Sequence, residues 1–198
     1  MFGWCICRRR VWGEVGPDAN ADGPRGPRGY DEINQARKAG NFGWPYFVGD
    51  NYAYAKVDFA TNAIGPFADP ARPRNTSPNN TGLNDLPPAT PAFIYWPYKN
   101  PKKWPELGEG GRTACAGPVF HYSPSFEKTD GFPEYFDRCL LFWDWQRPFI
   151  KWARLDADSN LVGIEPFTNG KVVAGSSAEQ VKKLQPAIAN GATLMKRP

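Results

Sequence analysis

The stretch from Cys139 to Phe167, with the sequence CLLFWDWQRPFIKWARLDADSNLVGIEPF, decides the fold of this protein. It contains three runs rich in aromatic and aliphatic residues, separated by two short polar segments. The runs are Cys139–Trp145, Phe149–Leu155 and Leu161–Phe167. The separating segments, Gln146–Pro148 and residues 156–160 (DADSN), contain residue types that favour tight turns. The pattern predicts three antiparallel strands joined by hairpins.

A fourth strand of the same meander is predicted upstream, at residues 116–122 (AGPVFHY). Four short antiparallel strands with tight connections form one twisted sheet, which is the unit of a β-propeller blade. The spacing suits a blade of about 40–50 residues. A four-stranded half of a β-sandwich has the same local pattern. The meander therefore predicts an all-β fold and leaves these two architectures open.

The DADSN segment has the spacing with which an EF-hand calcium loop begins, through Asp156, Asp158 and Asn160. That loop needs glycine at its sixth position and glutamate at its twelfth, where this chain has Leu161 and Phe167. The segment is therefore predicted to be a hairpin turn and not a calcium site.

The composition is that of a folded, turn-rich protein. The chain has 198 residues, enough for a hydrophobic core. Its 20 glycines and 21 prolines indicate many turns, while 41% hydrophobic and 15% aromatic residues exclude a disordered chain. No apolar run approaches the roughly 18 residues of a membrane-spanning helix, so no membrane span is predicted. Residues 1–7 lack the charge order and apolar stretch of a signal peptide, so none is predicted in this chain.

The basic and metal-binding side chains limit the function classes. Most of the net charge of +4 comes from residues 8–10 (RRR), which suit a solvated tail better than a phosphate contact, so no nucleic-acid partner is predicted. Four cysteines and one histidine do not supply the ligand cluster of a structural zinc site. The chain leaves open whether Cys115 and Cys139 form a disulfide or are two small buried residues. His121 is expected to face solvent or a satisfied neighbour and not to be catalytic.

Three motifs in the first part of the chain occur in a fixed order. They are WGEVGPD at residues 12–18, GYDEIN at residues 29–34 and KAGNFGWP at residues 38–45. This series resembles the glucose/sorbosone dehydrogenase family of quinoprotein six-bladed β-propellers. In that family an E-x-G-P turn precedes D-E-I-N and then G-N-[FY]-G-W-P. The later segments 115–122 and 132–145 are also similar to it.

The resemblance implies a fold and a domain organisation. It covers residues 11–167, which are expected to form a fragment, about two to three blades, of a six-bladed β-propeller. Residues 1–10 are an unmatched N-terminal segment, and residues 168–198 are an unmatched C-terminal tail.

The resemblance also implies a cofactor site for pyrroloquinoline quinone (PQQ) and Ca²⁺. In the family, Gly-Pro carbonyl oxygens hold the calcium ion that binds the quinone, and here these are Gly16 and Pro17. Backbone carbonyls are common calcium ligands, and glycine and proline can aim two of them at one point. Gln146 stands where the family has a lysine on the quinone. Arg147 beside it is assigned a charge toward the cofactor carboxylates, with an arginine of the hairpin turn as the alternative.

Asp31 and Glu32 follow the calcium turn and are close to it in sequence. A carboxylate at such a place can bind the ion, but a salt bridge or a loop anchor is the commoner use. The second role is therefore expected for both residues.

By resemblance, the chain is part of a PQQ- and calcium-dependent oxidoreductase that oxidises a sugar or related alcohol or aldose. The family's catalytic base is a histidine upstream of the E-x-G-P turn. The eleven residues before Trp12 contain no histidine, so no catalytic residue is assigned and the chain alone is expected to be inactive. Relatives act in the periplasm or outside the cell, and the same is expected of the full-length parent.

The alternative is a non-catalytic β-propeller module that binds carbohydrate or protein. Five aromatic residues between positions 93 and 104 are candidates for stacking on sugar rings, although packing in the core is the commoner use of such side chains. They are Phe93, Tyr95, Trp96, Tyr98 and Trp104. Besides a sugar or alcohol substrate, the expected partners are a protein or the missing propeller blades.

Overall fold

The computed structural model describes residues 3–8, 23–58, 60–128, 132–147 and 149–167. In these residues the regular structure consists of antiparallel β-strands with three short 3₁₀ helices. The predicted all-β fold is therefore confirmed. The chain divides into two units, Met1–Trp104 and Pro105–Pro198. Within the described ranges, no helix is both long enough and apolar enough to cross a membrane.

The first unit is built around a three-stranded antiparallel sheet with two hairpins. Its strands are β1 (Gly3–Arg8), β2 (Asp31–Ala36), β3 (Phe47–Val48), β4 (Tyr52–Ala53), β5 (Ala55–Asp58), β6 (Ala63–Phe67) and β7 (Ile94–Trp96). The sheet has the order β1-β2-β7, and β3-β4 and β5-β6 are the hairpins. The N-terminal segment without a family counterpart thus supplies an edge strand, paired from Gly3 opposite Ala36 to Arg8 opposite Asp31.

The core of the first unit lies where β2 meets β7. Ile33 and Ile94 are directly opposite in the register and are both completely buried. Trp96 and Phe47 are buried with them. The GNFGWP motif delivers Phe47 to this core through a turn in which the Gly43 carbonyl accepts the backbone N–H groups of Tyr46 and Phe47, each at 2.8 Å.

The second unit contains the predicted meander. Its strands are β8 (Ala114–Phe120), β9 (Cys139–Asp144), β10 (Phe149–Leu155) and β11 (Leu161–Pro166), with 3₁₀ helices at Pro105–Leu107, Pro124–Lys128 and Glu134–Phe136. The sheet order β11-β10-β9-β8 is a four-stranded antiparallel meander. The strand bounds agree with those predicted to within two residues. This sheet is consistent with one blade of a β-propeller.

The DADSN segment is a hairpin turn, as predicted. One Asp156 carboxylate oxygen accepts the backbone N–H groups of Asp158 and Asn160, at 2.9 and 2.8 Å. The other oxygen accepts the side-chain amide of Asn160 at 3.0 Å. The acidic side chain therefore satisfies the turn's own backbone, which explains its position without a metal ion.

Cys115 and Cys139 are free thiols, so they form no disulfide; Cys139 is buried, whereas Cys115 is half-buried. The pairing of β8 with β9 places Cys115 opposite Trp143 and Cys139 opposite Phe120. The two thiols thus lie at different levels of the sheet. His121 follows the end of β8 and is exposed, as expected.

An ion pair joins the last two strands. Arg154 on β10 donates from Nε to Glu165 Oε1 on β11 at 2.8 Å, and Tyr135 Oη donates to Glu165 Oε2 at 2.6 Å. The hydrogen bond from Arg154 is the main cause that holds the pKa of the Glu165 carboxyl below its ordinary value, and the bond from Tyr135 adds to it.

We expect this ion pair to make stability depend on pH in the acid range. Because the folded pKa of Glu165 is depressed, its contribution is fully present above the unfolded value of about 4.3 and is lost as the pH falls through the folded value. Urea midpoints measured from about pH 6 to pH 3 should fall less steeply in Glu165→Gln than in the wild type. Glu134→Gln, at an exposed glutamate of the same unit, is the control and should follow the wild type. Parallel curves for wild type and Glu165→Gln would contradict the assignment.

Candidate functional site

Of the three residues assigned to calcium and quinone, the structure describes one, Arg147. Gly16 and Pro17 are outside the described residues, so their ligand role stays a prediction. Arg147 is described and lies in the turn between β9 and β10. Among the described residues, no three His, Cys, Asp or Glu side chains form a group that could hold a metal ion.

Arg147 is buried, with 1% of its surface exposed, and its guanidinium faces a loop of the same unit. Nε donates to the carbonyl oxygen of Gly111 at 2.9 Å, and Nη1 donates to that of Gly108 at 2.6 Å. Nη2 donates to the carbonyl oxygen of Gly110 at 3.0 Å. The side chain therefore anchors the loop to the hairpin turn. Its charge toward a cofactor stays a prediction.

Asp144 fixes the turn that presents Arg147. One carboxylate oxygen accepts the backbone N–H groups of Gln146 and Arg147, each at 2.8 Å, and the other accepts the N–H of Thr113 at 3.1 Å. Gln146 lies over Gly111, where an added Cβ would be 1.9 Å from Gln146 Oε1. Hydrogen bonds thus join the turn between β9 and β10 to the loop at residues 108–111.

Glu32 anchors a loop, which agrees with the expectation for this residue. Its side chain is buried on β2. Oε2 accepts the backbone N–H of Gly49 at 2.8 Å, and Oε1 accepts the side-chain amide of Asn34 at 3.1 Å. Gly49 has φ of +58°, and a Cβ there would be 3.1 Å from the Tyr95 ring. The glutamate therefore holds a glycine turn tightly against an aromatic side chain.

Replacing Glu32 by alanine is expected to lower the free energy of unfolding by about 1–3 kcal/mol, because the buried N–H of Gly49 and the Asn34 amide lose their acceptor. Urea denaturation monitored by circular dichroism measures the change. Asp85→Ala, which removes an exposed ion pair with Arg74 in the same unit, is the control and should change stability by less than about 1 kcal/mol. Equal effects of the two substitutions would contradict the anchoring role.

A pocket of about 750 Å³ opens beside this turn, entirely within the first unit. Four tyrosines line it: Tyr30, Tyr52, Tyr95 and Tyr98. Four cationic side chains line it as well: Arg28, Lys99, Lys102 and Lys103. Among the described residues that line it, there is no aspartate or glutamate. We call it the tyrosine–lysine pocket.

The tyrosines of the pocket form a packed cluster. The Tyr30 and Tyr52 rings are stacked at 5.4 Å, and the Tyr95 ring meets both edge-on, at 5.5 and 6.1 Å. The hydroxyls of Tyr52 and Tyr95 are 3.4 Å apart. Burial raises the pKa of the Tyr95 hydroxyl, and its hydrogen bond with Tyr52 adds to the shift. Tyr95 therefore stays protonated and neutral at physiological pH.

Two of the cations are held against aromatic rings. The guanidinium carbon of Arg28 is 4.2 Å from the centre of the Tyr98 ring. Lys103 Nζ is 4.7 Å from the centre of the Trp104 ring and 3.7 Å from a carboxylate oxygen of Asp50. Such contacts restrict both side chains at the pocket wall.

The comparison with protein families concerns this same unit. Residues 22–84 match the family model described as glucose/sorbosone dehydrogenase. The resemblance to this family is thereby confirmed over that segment. The segment includes two of the three motifs, GYDEIN and GNFGWP, whereas EVGP precedes it. No curated protein and no solved structure was found to match the chain.

The sequence patterns indicated the turn motifs but not the basic pocket. Tyr95 and Tyr98 were candidates for sugar stacking, and the structure places both at the pocket. Trp96 and Trp104 are instead buried in the core. The missed signal is the segment 97–103 (PYKNPKK), which contains three lysines beside an aromatic strand.

Proposed function

We propose that this chain is part of a PQQ- and calcium-dependent oxidoreductase that oxidises a sugar or a related alcohol. The observation that carries the proposal is the match of residues 22–84 to the glucose/sorbosone dehydrogenases. The all-β architecture and the four-stranded meander support a place in a propeller of that kind.

The proposal assigns calcium to the carbonyl oxygens of Gly16 and Pro17, outside the described residues. The described residues do not themselves fit either group. They contain no cluster of metal-binding side chains, and each guanidinium nitrogen of Arg147 donates to a backbone carbonyl. The general base, a histidine in the family, is assigned to a part of the parent protein upstream of the E-x-G-P turn. By the same resemblance, we place the parent in the periplasm or outside the cell.

A thermal melt of the 198-residue chain with calcium and PQQ tests the proposal. Ligand at 100 times its dissociation constant adds about 2.7 kcal/mol to stability. For a chain of this size we expect the melting temperature to rise by roughly 5–11 °C. The rise should require both ligands and should be lost in Gly16→Val. A cooperative melt that neither ligand shifts would contradict the cofactor assignment.

A second candidate is a non-catalytic propeller module that binds carbohydrate or protein. It is favoured by Gln146 at the position of the family's lysine and by the aromatic, basic lining of the tyrosine–lysine pocket. We expect the isolated chain to show no PQQ-dependent reduction of a dye with sugars as donors. Reproducible dye reduction that depends on PQQ would exclude this candidate and would show that the chain alone is catalytic.

A further inference from the structure

We propose that the tyrosine–lysine pocket binds a negatively charged sugar, a ring that carries a carboxylate or a phosphate group. The negative charge of the ligand is inferred from the pocket alone, whereas the choice of a sugar rests on the proposed function. The described residues that line the pocket all belong to the first unit, whereas Arg147, assigned to the quinone, belongs to the second.

The charge of the lining selects an anion. Among the described residues, four cations and no carboxylate line the cavity, although acidic and basic residues are nearly balanced in the whole chain, with 20 and 24 respectively. One of the four, Lys103, lies 3.7 Å from a carboxylate oxygen of Asp50. A pocket with walls of one charge sign concentrates ligands of the opposite sign.

Two of the four cationic side chains lie against aromatic rings, and the other two are exposed to solvent. Arg28 lies on the Tyr98 ring and Lys103 on the Trp104 ring, which reduces the side-chain freedom they would lose when a ligand binds. Lys99 and Lys102 are exposed at the rim. An anionic group entering the pocket can therefore receive charge-assisted hydrogen bonds from several directions.

The tyrosines select a ring that also carries hydroxyl groups. Tyr95 is buried, but Tyr30, Tyr52 and Tyr98 are at least partly exposed. A tyrosine side chain has an apolar ring face and a hydroxyl that both donates and accepts hydrogen bonds. Tyr52 is 43% exposed although its ring is stacked on Tyr30, so one aromatic surface of the cluster is open. A cavity of about 750 Å³ is within the range of about 300–1,000 Å³ found for small-molecule sites.

Two glycine turns beside the pocket are closely packed. Glu32 fixes Gly49 against the rings of Tyr95 and Tyr52. On the other side, Gly26 has φ of +126°, and a Cβ there would be 2.6 Å from the Ala53 carbonyl oxygen. The Tyr95 and Tyr52 rings thus pack closely against the Gly49 turn.

Isothermal titration of the 198-residue chain at low ionic strength tests the proposal, with four probes: D-glucuronate, glucose 6-phosphate, glucose and inorganic phosphate. We expect at least one sugar acid to bind about tenfold or more tightly than both glucose and inorganic phosphate. A preference for glucuronate would identify a carboxylate ligand, and a preference for glucose 6-phosphate a phosphate ligand. Added salt should weaken the binding.

Two variants test whether the ligand binds in this pocket. Lys99→Met/Lys102→Met, which keeps the apolar stems, should raise the dissociation constant of the preferred acid about tenfold, and Tyr52→Leu should raise it about three- to tenfold. Lys38→Met, at an exposed lysine that does not line the pocket, is the matched control and should bind like the wild type. Circular dichroism confirms that each variant is folded.

Three results would overturn the proposal: glucose binding as tightly as the acids, inorganic phosphate binding as tightly as the sugar acids, or no binding by any probe at millimolar concentration. Unchanged affinity in Lys99→Met/Lys102→Met would overturn its placement. Since the titration contains neither PQQ nor calcium, its failure would leave the cofactor test of the proposed function unaffected.

Discussion

Replacing Trp152 by alanine is expected to lower the free energy of unfolding of the second unit by about 3–5 kcal/mol. Trp152 lies on β10 with 2% of its surface exposed. Its ring centre is 4.8 Å from that of Phe136, 5.3 Å from that of Phe132 and 5.7 Å from that of Phe167. The substitution removes the side chain shared by all three and leaves a cavity among them. The free energy of unfolding of an ordinary domain is about 5–15 kcal/mol in total, so this unit should lose a large part of its stability.

Trp145→Ala provides the matched control for that experiment. Trp145 belongs to the same unit but is 79% exposed at the end of the hairpin. Its replacement should change stability by no more than about 0.5 kcal/mol. Urea denaturation followed by far-ultraviolet circular dichroism measures both. If the two variants unfold at the same urea concentration, the aromatic cluster is not the core of the unit.

The second large effect is expected for Arg147→Met. The guanidinium bonds to the carbonyls of Gly108 and Gly111 are the shortest of its set, at 2.6 and 2.9 Å. Each hydrogen bond that involves a charged group contributes about 1.5–3 kcal/mol, so losing these two alone should cost roughly 3–6 kcal/mol. Arg147→Lys keeps the charge but not the planar fork of donors, and should lose an intermediate amount.

The same experiment distinguishes the anchoring role of Arg147 from the cofactor role assigned by resemblance. Arg138→Met is the control, since that arginine is half exposed beside Asp137 and its ion pair contributes little. If Arg147 anchors the loop, the melting temperature of Arg147→Met should be well below that of the control in the absence of any ligand. If Arg147 instead contacts the cofactor, its melting temperature should be unchanged without ligands and should rise less with calcium and PQQ. A wild-type melt for Arg147→Met would contradict the anchor.

The strands and turns of the second unit could be predicted because short, continuous segments of the sequence determine them. Each strand of the meander is a short alternating run, and each connection contains the residues that its turn needs. The turn of Asp156 and Asn160 is an example, since its side chains bond to backbone atoms at most four residues away. The largest difference is in the first strand, which begins at Ala114 and ends at Phe120 instead of residues 116 and 122, and a bulge interrupts its pairing between Ala116 and Val119.

The first unit and its pocket depend on contacts between distant segments. β7 has only three residues, too few to show a period, and it pairs with a strand about 60 positions earlier. That pairing gathers Tyr30, Tyr95 and Arg28 at one pocket. Likewise, the Arg147 loop contacts span 36 to 40 positions and leave no local pattern. Short sequence patterns thus indicated the GYDEIN and GNFGWP motifs but not the cavity beside them.

The two outer strands of the meander differ in how readily they invite further pairing. In the described part of the chain, β8 and β11 each have one strand neighbour. β8 contains Pro118, which has no N–H, within a bulge, and both features discourage another strand from adding to that side. β11 carries its proline only at the last position, Pro166, and exposes Val162. Self-association in concentrated solution, and any strand contributed by another polypeptide, is therefore directed to β11.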